Sequence, residues 1–254
     1  VNDGFYTVAD FESFDSKSRT WKLKEGVVDS SPLSDTPRPG NAKFKKLTPV
    51  DPNSTNPYQL TEADRTVIGN TTPKFSGGFG LNATYKGFDM SMFFNFMYDF
   101  DVLNANKIML TTWADNKENN FLMDIASDKR WRNFDDMGNE IRYSPEVLAE
   151  FNKNATMWNP TSIGRPICMS YAVEDGSFLR LNSATLGYTL PSVWTKKVGL
   201  SKVRFYVSGN NLFTLTGYSG YDPEVNIATG LTPNIDYNRY PRSRTYTFGA
   251  QLTF

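Results

Sequence analysis

Arg242-Ser243-Arg244-Thr245-Tyr246-Thr247-Phe248-Gly249-Ala250-Gln251-Leu252-Thr253-Phe254 decides the fold class. Tyr246, Phe248, Ala250, Leu252 and Phe254 alternate with Thr245, Thr247, Gly249, Gln251 and Thr253. A period of two places each set on its own face of a strand, so the strand meets two environments. The apolar face starts and ends on aromatic rings. A strand of a membrane barrel has this pattern: apolar outward, small or polar inward, aromatics at both interfaces. From this stretch alone, the edge strand of a water-soluble sandwich is the competing reading.

The same alternation recurs upstream. Over residues 75–86, Phe79, Leu81, Ala83 and Tyr85 oppose Gly78, Gly80, Asn82 and Thr84. Over 88–100, Phe88, Met90, Met92, Phe94, Phe96 and Tyr98 oppose Asp89, Ser91, Asn95 and Asp99, with Lys86-Gly87 as the tight turn between the arms. Phe93 and Met97 break the polar side, and contact with an internal plug is one explanation. Residues 177–190 and 202–213 make a further pair. Residues 5–14 alternate imperfectly, and Thr20 to Lys24 is a short return strand. Six prolines exclude regular structure from most of 26–72. Ser144-Pro145 is a helix start, with Ser as cap and Pro at the first helical position, for a helix running to about residue 154.

The expected fold is all-β: an antiparallel transmembrane β-barrel segment with long extracellular loops carrying short helices. Strands are expected near 5–14, 75–86, 88–100, 177–190, 202–213 and 242–254, and outer loops at 26–72, 100–176 and 214–241. Short connections (86–87, 191–201) alternate with these long ones, which is the asymmetry of outer-membrane barrels. If the last strand runs inward, the C-terminus is periplasmic and all three long loops are extracellular.

Composition narrows the function. The 254 residues hold 27 Lys and Arg against 27 Asp and Glu, so charge makes no case for nucleic acid or an anionic surface. There is no His, the usual general base and commonest metal ligand. The single Cys168 has no disulfide partner and no His to activate it. A non-enzyme without a bound cofactor is expected. The mean hydropathy of −0.48 does not exclude a barrel, whose strands are half apolar and whose loops dilute the signal. No apolar run of ~18 residues marks a transmembrane helix. The opening Val1-Asn2-Asp3-Gly4-Phe5 lacks signal-peptide character, and the sequence is read as a piece of a longer polypeptide.

Several segments, taken in order, resemble the SusC/RagA-type family of TonB-dependent outer-membrane transporters of Bacteroidetes. They are Asp64 to Asn70 (DRTVIGN) with Pro73-Lys74-Phe75; Tyr85 to Ser91 (YKGFDMS); Glu174 to Leu181 (EDGSFLRL); and Leu186 to Pro191 (LGYTLP). Tyr206 to Phe213 (YVSGNNLF), Gly220 to Glu224 (GYDPE), and Tyr240-Pro241 leading into Arg244-Thr245-Tyr246 complete the set. The resemblance implies a barrel of ~22 strands in the Gram-negative outer membrane, filled by an N-terminal plug. It implies energy from the TonB complex, a SusD-like lipoprotein over the mouth, and a cargo that is an oligosaccharide or sometimes a peptide. The chain resembles only the last part of such a barrel, with plug and TonB box outside it.

Tyr246, Phe248, Leu252 and Phe254 resemble the C-terminal signal read by the barrel assembly machinery, and the same face also serves as lipid anchor. Trp113, Trp131, Trp158, Tyr218, Tyr221 and Tyr237 lie in expected outer loops. Aromatic faces stack on sugar rings, although packing within the loops is the commoner role of such residues. Asp51, Asn53 and Glu62 have spacings like a calcium loop. Asn56 stands where the turn glycine belongs and two prolines stiffen the segment, so a plain polar loop is the stronger reading. Asp222-Pro223-Glu224 reads as a turn rather than a hydrolytic carboxylate pair. Arg242 and Arg244 either pair with acidic groups on the inner face or snorkel to the interface. The alternative to a transporter is a soluble, secreted, β-rich carbohydrate-binding module.

Overall fold

A computed structural model describes residues 1–112, 120–126, 128–163, 167–225 and 233–254. The chain forms two compact units, one of Val1–Ile68 and Asn104–Val173, the other of Gly69–Leu103 and Glu174–Phe254. In chain order the strands are β1 (Asn2–Phe5), β2 (Phe11–Asp15), β3 (Thr20–Leu23), β4 (Ala42–Phe44), β5 (Phe75–Tyr85) and β6 (Phe88–Tyr98). They continue as β7 (Asp101–Asn104), β8 (Val173–Asp175), β9 (Phe178–Thr189), β10 (Lys202–Thr216), β11 (Ile235–Asp236) and β12 (Thr245–Thr253). Among the described residues, three short α-helices are α1 (Ala105–Met109), α2 (Pro145–Phe151) and α3 (Ser192–Thr195).

The second unit is built on one antiparallel sheet in the order β12-β10-β9-β6-β5. Each long strand pairs with the preceding and following long strand, as an up-and-down wall requires. Lys86 and Gly87 both take positive φ (46° and 88°), the geometry of a type I′ turn that matches the strand twist. Register holds across all five strands, so the alternation written in each strand adds up. One row runs Tyr85, Phe88, Tyr188, Phe205, Ala250; the next on that face runs Ala83, Met90, Leu186, Val207, Phe248. The opposite face carries the row Asn82, Ser91, Thr185, Ser208, Thr247. Irregularities at Phe93/Phe94 on β6–β9 and at Asn210/Phe213 on β9–β10 interrupt the ladder beyond these rows. At Asn211 the backbone takes φ 54°, which Asn tolerates better than most residues.

Residues 5–14 are not a strand of this sheet. β1 pairs with β4, a single 3-10 turn spans Val8–Asp10, and β2 pairs with β3. The Asp10 carboxylate causes the break: Oδ2 accepts from the Thr7 backbone N–H at 2.7 Å and closes the turn. That turn is why the alternation there was imperfect.

The first unit has two small cores. Ala42, Phe44, Leu60, Trp158, Ile163 and Met169 form one; Trp131, Ile141 and Leu148 form the other, with Phe5, Trp21 and Phe151 packed against it. Much of this unit is irregular, so its backbone depends on side-chain acceptors. Asp64 is the main one. It is buried, and its carboxylate accepts from the backbone of Leu47 (2.8 Å), Thr48 (2.7 Å) and Thr61 (2.8 Å), and from Thr48 Oγ1 (2.8 Å). Burial pushes its pKa up, but these donors outweigh burial and hold the carboxyl well below the usual carboxylate range. α2 starts at Pro145 with Ser144 before it, although the Ser144 side chain makes no capping hydrogen bond.

Candidate functional site

The five-stranded sheet presents two contrasting faces. One is apolar and uncovered. Phe75, Phe79, Leu81, Tyr85, Phe88, Tyr98, Leu186, Phe205, Phe213, Leu215, Tyr246, Phe248 and Leu252 are all exposed on it, Phe248 at 80%. Rings pack along this face rather than into a core: Phe79 stacks on Phe94 (centroids 5.0 Å), Phe94 meets Phe213 edge-on (6.5 Å), and Phe88 lies 4.4 Å from Tyr188. Aromatics concentrate at the two ends, Tyr85, Phe88, Tyr188 and Phe205 at one and Phe75 and Tyr98 at the other. Ten residues separate Phe88 from Tyr98. At ~3.4 Å per residue and a ~45° tilt, this is a depth of ~24 Å, against the ~25 Å apolar band of an outer-membrane barrel.

The other face is polar and is organised around glycines. Arg204 on β10 reaches across β9 to Asp89 on β6; Nε donates to Oδ1 at 2.9 Å and Nη2 donates to Oδ2. Gly187 of β9 lies beneath this pair, and a Cβ there would come within 2.6 Å of Asp89 Oδ1 and collide with the Arg204 guanidinium. Phe93 lies over Gly78, whose added Cβ would meet the ring at 2.7 Å. Met97 packs on the small core of Phe100, Val102, Phe178, Tyr218 and Val225. Both departures from the polar pattern thus have contacts within this unit, although Phe93 is still 43% exposed.

The same face holds an ion network tied to the 214–241 loop. Arg180, 2% exposed, donates Nη2–H to Asp222 Oδ1 at 2.5 Å, and its Nη1 stands 3.5 Å from Glu224. Glu224 accepts from Arg242 Nη2 at 2.7 Å. Asp222 and Glu224 are therefore charge partners of arginines. Of the two sequence readings of Arg242, acidic pairing is the one observed. Tyr218 donates its hydroxyl to Asp236 at 2.7 Å. Burial, then the Asp236 carboxylate, push the Tyr218 hydroxyl far above its ordinary pKa. Arg180 could be suspected from the sequence only as a charge at an inward strand position.

Of the aromatic candidates, Trp131 and Trp158 are each 2% exposed and pack the two cores of the first unit. Tyr218 is buried in the core of the second. Their ring faces are taken by neighbours, which corrects the expectation that they stack on cargo. Trp113 lies outside the described residues. Tyr221 (82% exposed) and Tyr237 present open rings on the second unit. In the segment with calcium-loop spacing, the polar groups make local bonds. Asp51 Oδ1 accepts from the Asn53 backbone N–H at 2.9 Å, while Glu62 pairs with Arg65 at 2.9 Å. These carboxylates serve separate turns, and among the described residues no three His, Cys, Asp or Glu side chains gather as a metal site. Tyr246, Phe248, Leu252 and Phe254 all lie exposed at or next to β12.

No protein-family model matches the chain. TonB-dependent receptor P3 of Formosa agariphila is 35% identical over 202 residues, covering 77% of this chain and 18% of the receptor. TonB-dependent receptor SusC of Bacteroides thetaiotaomicron is 38% identical over 88 residues, 33% of this chain and 8% of that protein. The RagAB peptide transporter structure matches with a TM-score of 0.54 and 25% identity, covering 81% of this chain and 20% of that one. The RagAB peptide importer in its open-open state gives a TM-score of 0.56 over 92% of this chain, at an identity of 23% that speaks for the fold alone. The chain spans about a fifth of the length of such relatives, 18% of the Formosa receptor. In sequence and in fold, the chain belongs to the SusC/RagA-type TonB-dependent receptors.

Proposed function

We propose that this chain forms part of the wall of a large outer-membrane barrel, ~22 strands in all, that imports an oligosaccharide. TonB supplies the energy and a SusD-like surface lipoprotein shares the cargo; the chain performs no covalent chemistry. The observation that carries the reading is the uncovered apolar face, continuous over five strands and ~24 Å deep, backed by a polar face. In this reading hydrocarbon wets the first face and the lumen the second. Among the described residues, β5 and β12 each have one unpaired edge, which further barrel strands would close. Tyr246, Phe248, Leu252 and Phe254 address the strand to the assembly machinery, with the C-terminus in the periplasm. Tyr221 and Tyr237 offer open rings to cargo.

The test is calorimetric titration of the intact receptor in detergent with defined oligosaccharides, with and without its lipoprotein partner. Tyr221→Ala and Tyr237→Ala should each weaken binding. Peptide cargo is the second reading, favoured by the likeness to the RagAB peptide transporter, and a peptide series run beside the sugars separates the two. A cooperative melt of the isolated 254-residue chain in plain buffer would favour the soluble module instead, because the exposed face should make a barrel piece aggregate.

A further inference from the structure

We propose that a cleft in the first unit, between the β2–β3 turn and the segment preceding α2, binds an acidic group on the sugar cargo: the carboxylate of a uronate or a sulfate ester. The proposal rests on the oligosaccharide reading above and narrows it to anionic sugars. The cleft has a volume of about 330 Å³, in the range of small-ligand sites. Three guanidinium side chains line it: Arg19, Arg38 and Arg142. Among the described residues, Arg19 and Arg38 have no carboxylate within ion-pair distance, while Arg142 has Glu140 at 2.6 Å. Asp35 is the one acidic residue of the lining. The lining thus carries a surplus of positive charge inside a chain whose total charge is zero. Guanidinium forks match the oxygens of carboxylate and sulfate groups geometrically.

Two further features point to an occupant. Arg19 is held with φ 56°, a left-handed conformation that an Arg adopts at a cost and that Gly or Asn would take more easily. There its guanidinium lies over the Tyr143 ring at 4.8 Å, and Arg142 approaches the same ring at 5.7 Å. Ser162 lines the cleft, is 4% exposed, and its Oγ has no hydrogen-bond partner among the described residues. A buried, unpaired hydroxyl is costly unless something satisfies it. The rest of the lining favours a sugar over a peptide. Asn41, Asn133 and Asn159 supply amides for hydroxyl groups, while the rings of Tyr143 and Trp21 are already taken by Arg19, Phe14 and Phe11 and only wall the cleft. The aliphatic lining is Pro39 and Leu148, a small seat for peptide side chains.

The test uses the intact receptor with its lipoprotein. Oligosaccharides matched in length and carrying no charge, a uronate or a sulfate ester are titrated beside an acidic peptide, each at low and high salt. The expected result is about tenfold or greater preference for at least one acidic sugar over the neutral one, reduced by salt. Arg19→Gln and Arg38→Gln should each reduce that preference several-fold, with the thermal midpoint of the receptor unchanged. Whether carboxylate or sulfate gains more identifies the acidic group. Neutral sugars bound as tightly as acidic ones, or a preference unchanged in both variants, would overturn the inference and leave the oligosaccharide reading in place. Binding of peptides alone, or of none of these ligands, would remove the oligosaccharide reading and the inference together. A preference that vanishes because a variant has unfolded shows as a lowered midpoint; Arg19→Lys and Arg38→Lys, which keep the charge, then decide by whether they restore it.

Discussion

Phe248→Arg and Thr247→Arg are adjacent substitutions with opposite expected outcomes. Phe248 is the fourth of the nine residues of β12, one position from its centre at Gly249. One residue is ~3.4 Å along the strand and ~2.4 Å in depth at a ~45° tilt, so an Arg there lies near the middle of the hydrocarbon. Arg or Lys at that depth costs about 2–4 kcal/mol. Losing the apolar contact of a Phe adds about 1.5–3 kcal/mol. Because Phe248 is 80% exposed, most of that loss is contact with lipid rather than with protein. The sum is about 4–7 kcal/mol. Thr247 points the other way, opposite Ser208 in a row of Asn, Ser and Thr side chains, so a guanidinium there meets polar neighbours. Its replacement should cost about 1 kcal/mol or less, as for surface positions generally. The assay is refolding of the intact receptor into lipid vesicles, read as folded fraction against urea. Equal losses for the two variants, or a larger loss at Thr247, would refute the assignment of β12's faces.

Gly187→Val should destabilise the receptor by about 1–3 kcal/mol, because the new side chain must displace the Arg204–Asp89 bridge; a urea midpoint equal to that of the parent would contradict the crowding. Asp64→Asn should loosen the first unit by about 1.5–3 kcal/mol through weakened bonds to Leu47, Thr48 and Thr61, seen as faster hydrogen exchange at those amides. The depressed folded-state pKa of Asp64 means that its contribution is complete above the unfolded carboxyl pKa, ~3.9, and fades as pH falls toward the lower folded value. Exchange at those amides should therefore quicken, beyond its intrinsic pH dependence, on going from pH 5 to pH 2 in the parent and not in Asp64→Asn. Deleting Phe254, an exposed ring at the end of the outer face, should lower the amount of receptor in the outer membrane; undiminished levels would count against an assembly role.

What the sequence displayed was periodicity, and periodicity located the sheet. β5, the second half of β9 and β12 alternate cleanly, and β6 does so apart from Phe93 and Met97, because each has one apolar and one polar environment. Where local hydrogen bonds compete with the ladder, the pattern misled. The Asp10 turn splits residues 5–14, a detail set by one carboxylate and one N–H. Burial of individual rings was not legible either. Trp131, Trp158 and Tyr221 are all loop aromatics in the sequence, and nothing near them distinguishes two that fill cores from one that faces out. The arginine-lined cleft draws on residues 19–162, so no local stretch contains it.

The glycines of the polar face explain one property that alternation leaves open. A wall lined by Arg204, Phe93 and Tyr206 would ordinarily project three long side chains inward. Instead, Arg204 passes over Gly187, Phe93 covers Gly78 and the Tyr206 ring covers Gly249, each long side chain resting on a neighbouring strand where no Cβ stands. A large side chain over a cross-strand glycine shields backbone that would otherwise be open to water and recovers the contact that glycine cannot make. The arrangement also keeps the polar surface low. If that surface lines a lumen, the glycine set has a role beyond turn geometry: it lets the wall carry charge and aromatic area while leaving the enclosed volume clear.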